Sequence, residues 1–298
     1  MRPATVLFLV FASCGSVTVP ELPGGSSQAD AELVVADAAG DPAADPTIEK
    51  ETAVETVVAD PGPEAVGCPA VEMVAVPPGT FKMGAGDGNP DELPVHAVTL
   101  PAFAIGMTEV LACQYQACVD ANACTAPQGA EWGDMDPVVY IDWSQAGAFC
   151  TFSGARLCSE AEWEYAARNG GADDVFPWGD TAPTCDDAVF MGADPGCTAH
   201  SPSPSCSKPA GEDAWGVCDL AGNVGEWVED AHHQSYDGAP ADGSAWESTS
   251  ATAQRVIRGG RFDSGTSNLR GSSRTYTDPA KVHQGVGTRC CRSGLAST

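Results

Sequence analysis

Residues 68–298 predict an α+β domain with few helices, short strands and much disulfide-stapled loop. Three observations carry this. One segment alone, from Ser159-Glu160-Ala161-Glu162 to Arg168, joins a capping box to good helix formers and a stop at Asn169-Gly170-Gly171. Extended runs elsewhere are short and break at Pro or Gly. Twelve cysteines fall in this part of the chain, an even number that reads as a disulfide framework in an exported protein.

In chain order, Val71 to Phe81 alternates apolar residues and turns at Pro77-Pro78-Gly79, which predicts a strand or hairpin. Val95 to Ile105 reads as extended, with Pro101 at its break. Ala112 to Ala121 has helical spacing and leads into a Cys118–Cys124 loop short enough to be stapled. Ser144 is placed to cap a helix from Gln145 to Ser153, stopped by Gly154. After the 159–168 helix, the chain to Trp215 is Gly, Pro, Ser, Asp and Cys; a loop so long is functional or pinned by disulfides or metal. Another irregular stretch, Glu229 to Gln254, precedes a strand at Val256-Ile257-Arg258-Gly259-Gly260, and Gly285 to Cys291 closes the fold.

The first 67 residues read differently. Met1-Arg2 is a cationic lead, Ala4 to Ala12 an apolar run too short to span a bilayer, and Cys14 follows small residues. Residues 1–14 thus predict a lipoprotein signal peptide with lipidation at Cys14, and a domain lipid-anchored at the bacterial cell envelope. Residues 15–67 hold eleven acids against Lys50 alone; with so little apolar content they predict a disordered acidic tether.

The chain carries a formal charge of −27, and residues 68–298 alone hold 30 acids and 12 bases. Nucleic acid and anionic headgroups are poor partners for such a domain; divalent cations and basic peptides are better ones. A monomer is expected. Within the domain, Asp219-Leu220-Ala221-Gly222-Asn223-Val224-Gly225-Glu226-Trp227 gathers carboxylates and glycines in nine residues. Asp219, Glu226 and the carbonyls of Gly222 and Val224 offer mixed oxygens of the kind calcium takes, although an ordinary Gly-Asn turn explains the same pattern.

Several segments together resemble the formylglycine-generating enzyme, or sulfatase-modifying factor, family. They are Met73 to Gly84, Pro94-Val95-His96, Thr108-Glu109-Val110, Arg156 to Arg168, Phe176-Pro177-Trp178-Gly179, Gly222 to Trp227, Arg258-Gly259-Gly260 and Gly287-Thr288-Arg289-Cys290. The resemblance spans roughly residues 70–292. It implies a C-type-lectin-like α+β fold that binds calcium, whose enzymes oxidise a sulfatase cysteine to formylglycine with oxygen and a copper ion held by two cysteines. It puts one calcium site at Asp219, Gly222, Val224 and Glu226. Another begins near Asp187 and Ala188, its remaining ligands falling within 192–216. It also implies a Cys150–Cys290 disulfide, with Cys158–Cys291 next by proximity in such a fold.

By the same resemblance the copper cysteines belong at Ser264 and Leu269, neither of which supplies sulfur for copper(I). Gly225 stands where Trp is frequent and Arg261 where Ser is. The expectation is a non-catalytic, calcium-stabilised binding module that does not use copper, taking a peptide or small molecule. The alternatives are formylglycine generation or another oxygen-dependent activity on the same scaffold. Arg261, Arg270 and Arg274, with Ser264 and Gly225, are candidates to line the inherited groove; simple ion pairing is the plainer role for the arginines. His232-His233 reads as a solvated pair, His96 as satisfying a buried hydrogen bond, and Ser264 with His283 and Asp263 only nominally as a hydrolase triad.

Overall fold

A computed structural model describes residues 67–129, 133–192, 197, 200–250 and 252–294. All belong to one compact unit, Thr52–Thr298; the other, Met1–Glu51, lies outside the described residues, as do the leader, Cys14 and all but the last residue of the tether. No helix among the described residues is long and apolar enough to cross a membrane.

Strand β1 (Met73–Val76) leads through Pro77-Pro78 into β2 (Gly79–Met83), then β3 (His96–Leu100), β4 (Phe103–Gly106) and helix α1 (Ala112–Asp120). Helix α2 (Trp143–Phe152), β5 (Arg156–Leu157) and helix α3 (Glu160–Ala167) follow. The rest is strand and loop: β6 (Gly225–Ala231), β7 (Arg255–Arg258), β8 (Thr275–Thr277), β9 (Val286–Thr288) and β10 (Cys290–Ser293). They form sheets ordered β1-β4-β10-β5 and β8-β7-β6-β9, plus the β2-β3 pair.

The 71–81 segment is not a hairpin. β1 pairs with β4 and β2 with β3, so Pro77-Pro78, which lack N–H donors, carry the chain from one sheet to another. Helix α2 begins two residues before the expected start, capped by Asp142 instead of Ser144. The Asp142 carboxylate accepts from Gln145 N at 2.8 Å and Gln145 Oε1 accepts from Asp142 N at 3.0 Å, a reciprocal cap that also suits the helix dipole. Helix α3 starts with the same device, Glu162 N donating to Ser159 Oγ at 3.1 Å and Ser159 N to Glu162 Oε2 at 3.0 Å. β6 continues past Trp227 to Ala231, into the stretch read as irregular.

Six disulfides join Cys68–Cys113, Cys118–Cys124, Cys150–Cys290, Cys158–Cys291, Cys185–Cys197 and Cys206–Cys218. All twelve cysteines from Cys68 to Cys291 are consumed. Cys150–Cys290 and Cys158–Cys291 tie α2 and the start of α3 to β10, across the fully buried Trp163 and Trp227. The 12-residue closures at 185–197 and 206–218 pin the long loop before β6, each worth on the order of 3 kcal/mol against the unfolded chain.

Candidate functional site

The turn from Asp219 to Asn223 departs from ordinary backbone geometry. Asp219, Gly222 and Asn223 have φ of 57°, 85° and 54°, three left-handed residues within five positions. Gly222 is required there: a Cβ would run into the Val189 carbonyl oxygen. The turn is anchored from below by Gly222 N donating to Gly259 O at 2.8 Å and Asn223 N to Val189 O at 2.8 Å.

Strand β6 then takes the Glu226 carboxylate into the core, where it is fully buried. Arg289 Nε and Nη2 donate to its two oxygens, each at 2.7 Å, and Trp163 Nε1 adds a third bond at 2.7 Å. Arg289 spends its other donors on the carbonyls of Gly106 (2.9 Å) and Cys218 (2.8 Å). Both oxygens of the Glu226 carboxylate, expected among the calcium ligands, are thus engaged by Arg289 and Trp163 in this structure. A carboxylate buried this deeply needs a cation and full hydrogen bonding, and Arg289 provides both.

Glu109, which the sequence offers only as part of a motif, completes the cluster. It is fully buried and accepts from Ser205 Oγ (2.8 Å), Asn223 Nδ2 (3.2 Å) and Val224 N (3.3 Å). Burial, then the nearby Asp219 charge, holds its carboxyl well above the usual range; burial likewise raises Asp219, whose Oδ2 accepts from Cys206 N at 2.6 Å. Three carboxylates thus surround one guanidinium. With all three ionised the surplus would be negative, and no main-chain N–H among the described residues donates to the carbonyls of Gly222 or Val224. Unpaired charge and unpaired carbonyls together suit a hard cation held by Asp219, Gly222 and Val224. No group of three or more His, Cys, Asp or Glu among the described residues is arranged to hold a metal by side chains alone. Such an ion would rest on main-chain oxygens.

At the other expected calcium position, Asp187 Oδ2 accepts from Thr184 N (2.8 Å) and Thr184 Oγ1 (2.7 Å), and Ala188 is buried. Of the 192–216 stretch expected to complete it, residues 193–196, 198 and 199 lie outside the described residues.

The groove positions are closed. Leu269 is fully buried in a cluster with Phe176, Phe190 and Ala221. Ser264 Oγ accepts from Arg261 N at 3.1 Å, and Arg261 Nε donates to Asp263 Oδ1 at 2.9 Å. The stem of Arg261 crosses two glycines: a Cβ on Gly225 would lie 3.3 Å from Arg261 Cγ and 2.8 Å from Ile257 Cγ2, and one on Gly285 3.2 Å from Arg261 Cδ. Gly225 and Arg261 therefore fit each other, the side chain filling the space above the glycine. With every described cysteine in a disulfide, this place holds no thiolate for copper.

Two groove candidates are held by carboxylates. Arg274 is no groove-mouth residue: its side chain is fully buried and forks onto Glu160 at 2.7 and 2.8 Å, beside Arg258, which binds Glu164 at 2.7 Å. Arg270 forks onto the buried Glu92 at 2.6 and 2.9 Å. In so acidic a domain, ion pairing takes both. His232 and His233 are half-buried: His232 stacks on Tyr276 and His233 on Trp246, each at 3.6 Å between centroids. His96 Nδ1 lies 3.2 Å from Pro94 O, His96 Nε2 and His283 Nε2 are buried without a partner among the described residues, and Asp263 gives its carboxylate to Arg261, so no hydrolase triad assembles there.

Residues 57–294 match the sulfatase-modifying factor enzyme 1-like domain. The chain is 30% identical to a formylglycine-generating enzyme from Streptomyces coelicolor, over 78% of this chain and 92% of that one. It is 28% identical to the inactive C-alpha-formylglycine-generating enzyme 2 of Bos taurus, over 74% and 87% respectively. It is 29% identical to the serine/threonine-protein kinase Pkn1 of Chlamydia trachomatis over 74% of this chain, but spans only 38% of that protein's length. Among solved structures, PvdO from Pseudomonas aeruginosa superposes with a TM-score of 0.66 at 32% identity, over 75% of this chain and 94% of that one.

Proposed function

The chain belongs to the family of sulfatase-modifying factor enzyme 1-like domains, and from that premise we propose that it is a non-catalytic binding module of the family, braced by calcium and disulfides. One observation carries this. The positions implied for the copper cysteines are Ser264 and a fully buried Leu269, while all twelve cysteines of the domain are in disulfides. Copper(I) chemistry at this place needs soft thiolates, and none is left. The relative named as an inactive formylglycine-generating enzyme shows that the family contains members described as such.

Calcium in this reading sits on Asp219 and the carbonyls of Gly222 and Val224, where it neutralises the excess of Glu109, Asp219 and Glu226 over Arg289. Twelve paired cysteines suit an oxidising compartment, which supports export; for the anchor proposed at Cys14, mass spectrometry of the mature N-terminus would show an unmodified Cys14 if it is wrong. For the module itself, the oxidised protein is incubated with oxygen, copper(I) and a Cys-x-Pro-x-Arg peptide. The expected result is an unchanged peptide. Aldehyde formation would make the protein an oxidase and defeat the reading.

A further inference from the structure

One short strap, Ser203 to Cys206, sends three hydrogen bonds into the carboxylate cluster. Ser203 N donates to Asn223 Oδ1 at 2.9 Å, Ser205 Oγ to Glu109 Oε2 at 2.8 Å and Cys206 N to Asp219 Oδ2 at 2.6 Å. Each acceptor belongs to the turn proposed to hold calcium or to the carboxylate beside it. Groups that fix the orientation of a ligand contribute to affinity without touching the ion. Elsewhere the strap is lightly held. Among the described residues its remaining main-chain bonds are Ser205 N to the carbonyl of the exposed Met135, at 3.1 Å, and a local turn from Ser207 N to Pro204 O.

Its covalent fastening is Cys206–Cys218, and Cys218 is the residue just before Asp219. The two ends of that bond are unequal. Cys218 is buried and fixed, its N–H donating to Met107 O at 2.9 Å and its carbonyl accepting from Arg289 Nη2 at 2.8 Å. Cys206 is half-buried between the exposed Pro204 and Ser207, and its φ of 58° lies in the left-handed region that a residue with a Cβ seldom takes. Cys206 is therefore the end that moves when the bond opens. It is also the end a reductant reaches, whereas Cys150–Cys290 and Cys158–Cys291 are wholly buried.

We propose that Cys206–Cys218 is a reducible latch on the cation loop, opened by a dithiol reductant, and that opening it releases the cation. The proposal rests on the calcium reading above and names what controls that site. A thiolate of the dithiol attacks Cys206 Sγ to form a mixed disulfide, and Cys218 leaves as a thiolate that takes a proton. The second thiol of the reagent gives up its proton and displaces Cys206, so the reagent ends as a disulfide and the protein gains two electrons and two protons as two thiols. Cys206 then relaxes from its left-handed conformation, and the donors of the strap leave Asn223, Glu109 and Asp219. The ligands lose their preorganised geometry and the affinity falls.

The test equilibrates the full oxidised protein in buffers of reduced and oxidised dithiothreitol, with calcium chloride or with EGTA. Free thiols are trapped by iodoacetamide and mapped by peptide mass spectrometry. Coupling is reciprocal: if reduction weakens calcium binding, calcium opposes reduction by the same factor. The dithiothreitol ratio that half-reduces Cys206–Cys218 should therefore rise at least about tenfold in calcium. The ratio for Cys68–Cys113, whose cysteines are also half-buried, should not change. In a second measurement, calorimetry should find calcium bound at least about tenfold more weakly by Cys206→Ser/Cys218→Ser, but with parental affinity by Cys118→Ser/Cys124→Ser. A cooperative melt checks that both variants fold, and the reduction equilibrium, read on the native chain, decides if either does not. Equal protection of both disulfides, a half-reduction ratio that ignores calcium, or parental affinity in Cys206→Ser/Cys218→Ser would each overturn the latch while the calcium reading stands. A parent protein that binds no calcium in the calorimeter would defeat the calcium reading, and the latch with it.

Discussion

Glu226 and Arg289 lock together through two parallel hydrogen bonds of 2.7 Å at the fully buried centre of the domain. This pair joins β6 to the turn between β9 and β10, and it sits directly behind the loop proposed to hold calcium. Arg289→Met removes the guanidinium and strands Glu226 beside Glu109 and Asp219. A broken buried pair costs about 3–5 kcal/mol, so urea denaturation should show a loss of that order. A change below about 1 kcal/mol would mean the pair behaves as an exposed one.

Leu269 gives a second test, at a position implied for a copper cysteine. As a wholly buried core residue, Leu269→Ala should cost about 2–5 kcal/mol. A residue lining an open groove would lose only about 0.5 kcal/mol. The same urea curve separates the two.

Stability should fall as pH rises from about 4 to about 7. Burial, then the Glu160 charge, pushes Asp230 from 3.8 up to about 7, and burial pushes Asp213 from 3.8 up to about 6. Groups whose folded pKa is raised hold their proton in the native state after the unfolded chain has lost its own. Their contribution is complete below the unfolded value and disappears as pH climbs through the folded one. At the acid end, Glu160 works the opposite way: although burial opposes it, Arg274 and Arg258 hold it below 4.5, and its contribution is lost as pH falls further. The melting temperature should therefore be highest at about pH 4 to 4.5, fall up to about pH 7, and change little from these groups beyond that. Asp230→Asn should flatten that decline, and an unchanged slope would remove Asp230 as its source.

Calcium should raise the melting temperature and chelator should lower it, because an ion that binds only the native state stabilises it. Asp219→Ala should abolish the shift while Asp187→Ala leaves part of it. A chelator-insensitive melt in the parent protein would show that the carboxylate surplus is neutralised by protons instead.

Local signals made much of this legible in the sequence. The Ser159–Glu162 box marked α3 because both partners of a cap lie three residues apart. The even number of cysteines pointed to a disulfide framework for the same kind of reason: counting suffices. What stayed hidden depends on distant partners. Pro77-Pro78 looked like a hairpin turn because nothing nearby tells that β1 pairs with β4. Ser144 reads as the cap of α2, yet the reciprocal bonds with Gln145 are made by Asp142, two residues earlier. The destinations of Arg270 and Arg274 lie 178 and 114 residues away in sequence, at Glu92 and Glu160. Glu109 gave no signal beyond its motif, since its importance arises only when Asn223 and Asp219 fold over it. The fit of Arg261 over Gly225 was visible as two unusual residues, but not as one substitution compensating the other.

A copper(I) titration of the fully oxidised protein against a chromophoric chelator tests the central claim most directly. With Ser264 and Leu269 at the place of the thiolates, the chelator should keep its copper throughout. Stoichiometric transfer of copper(I) to the protein would contradict the account and return the domain to the oxidases.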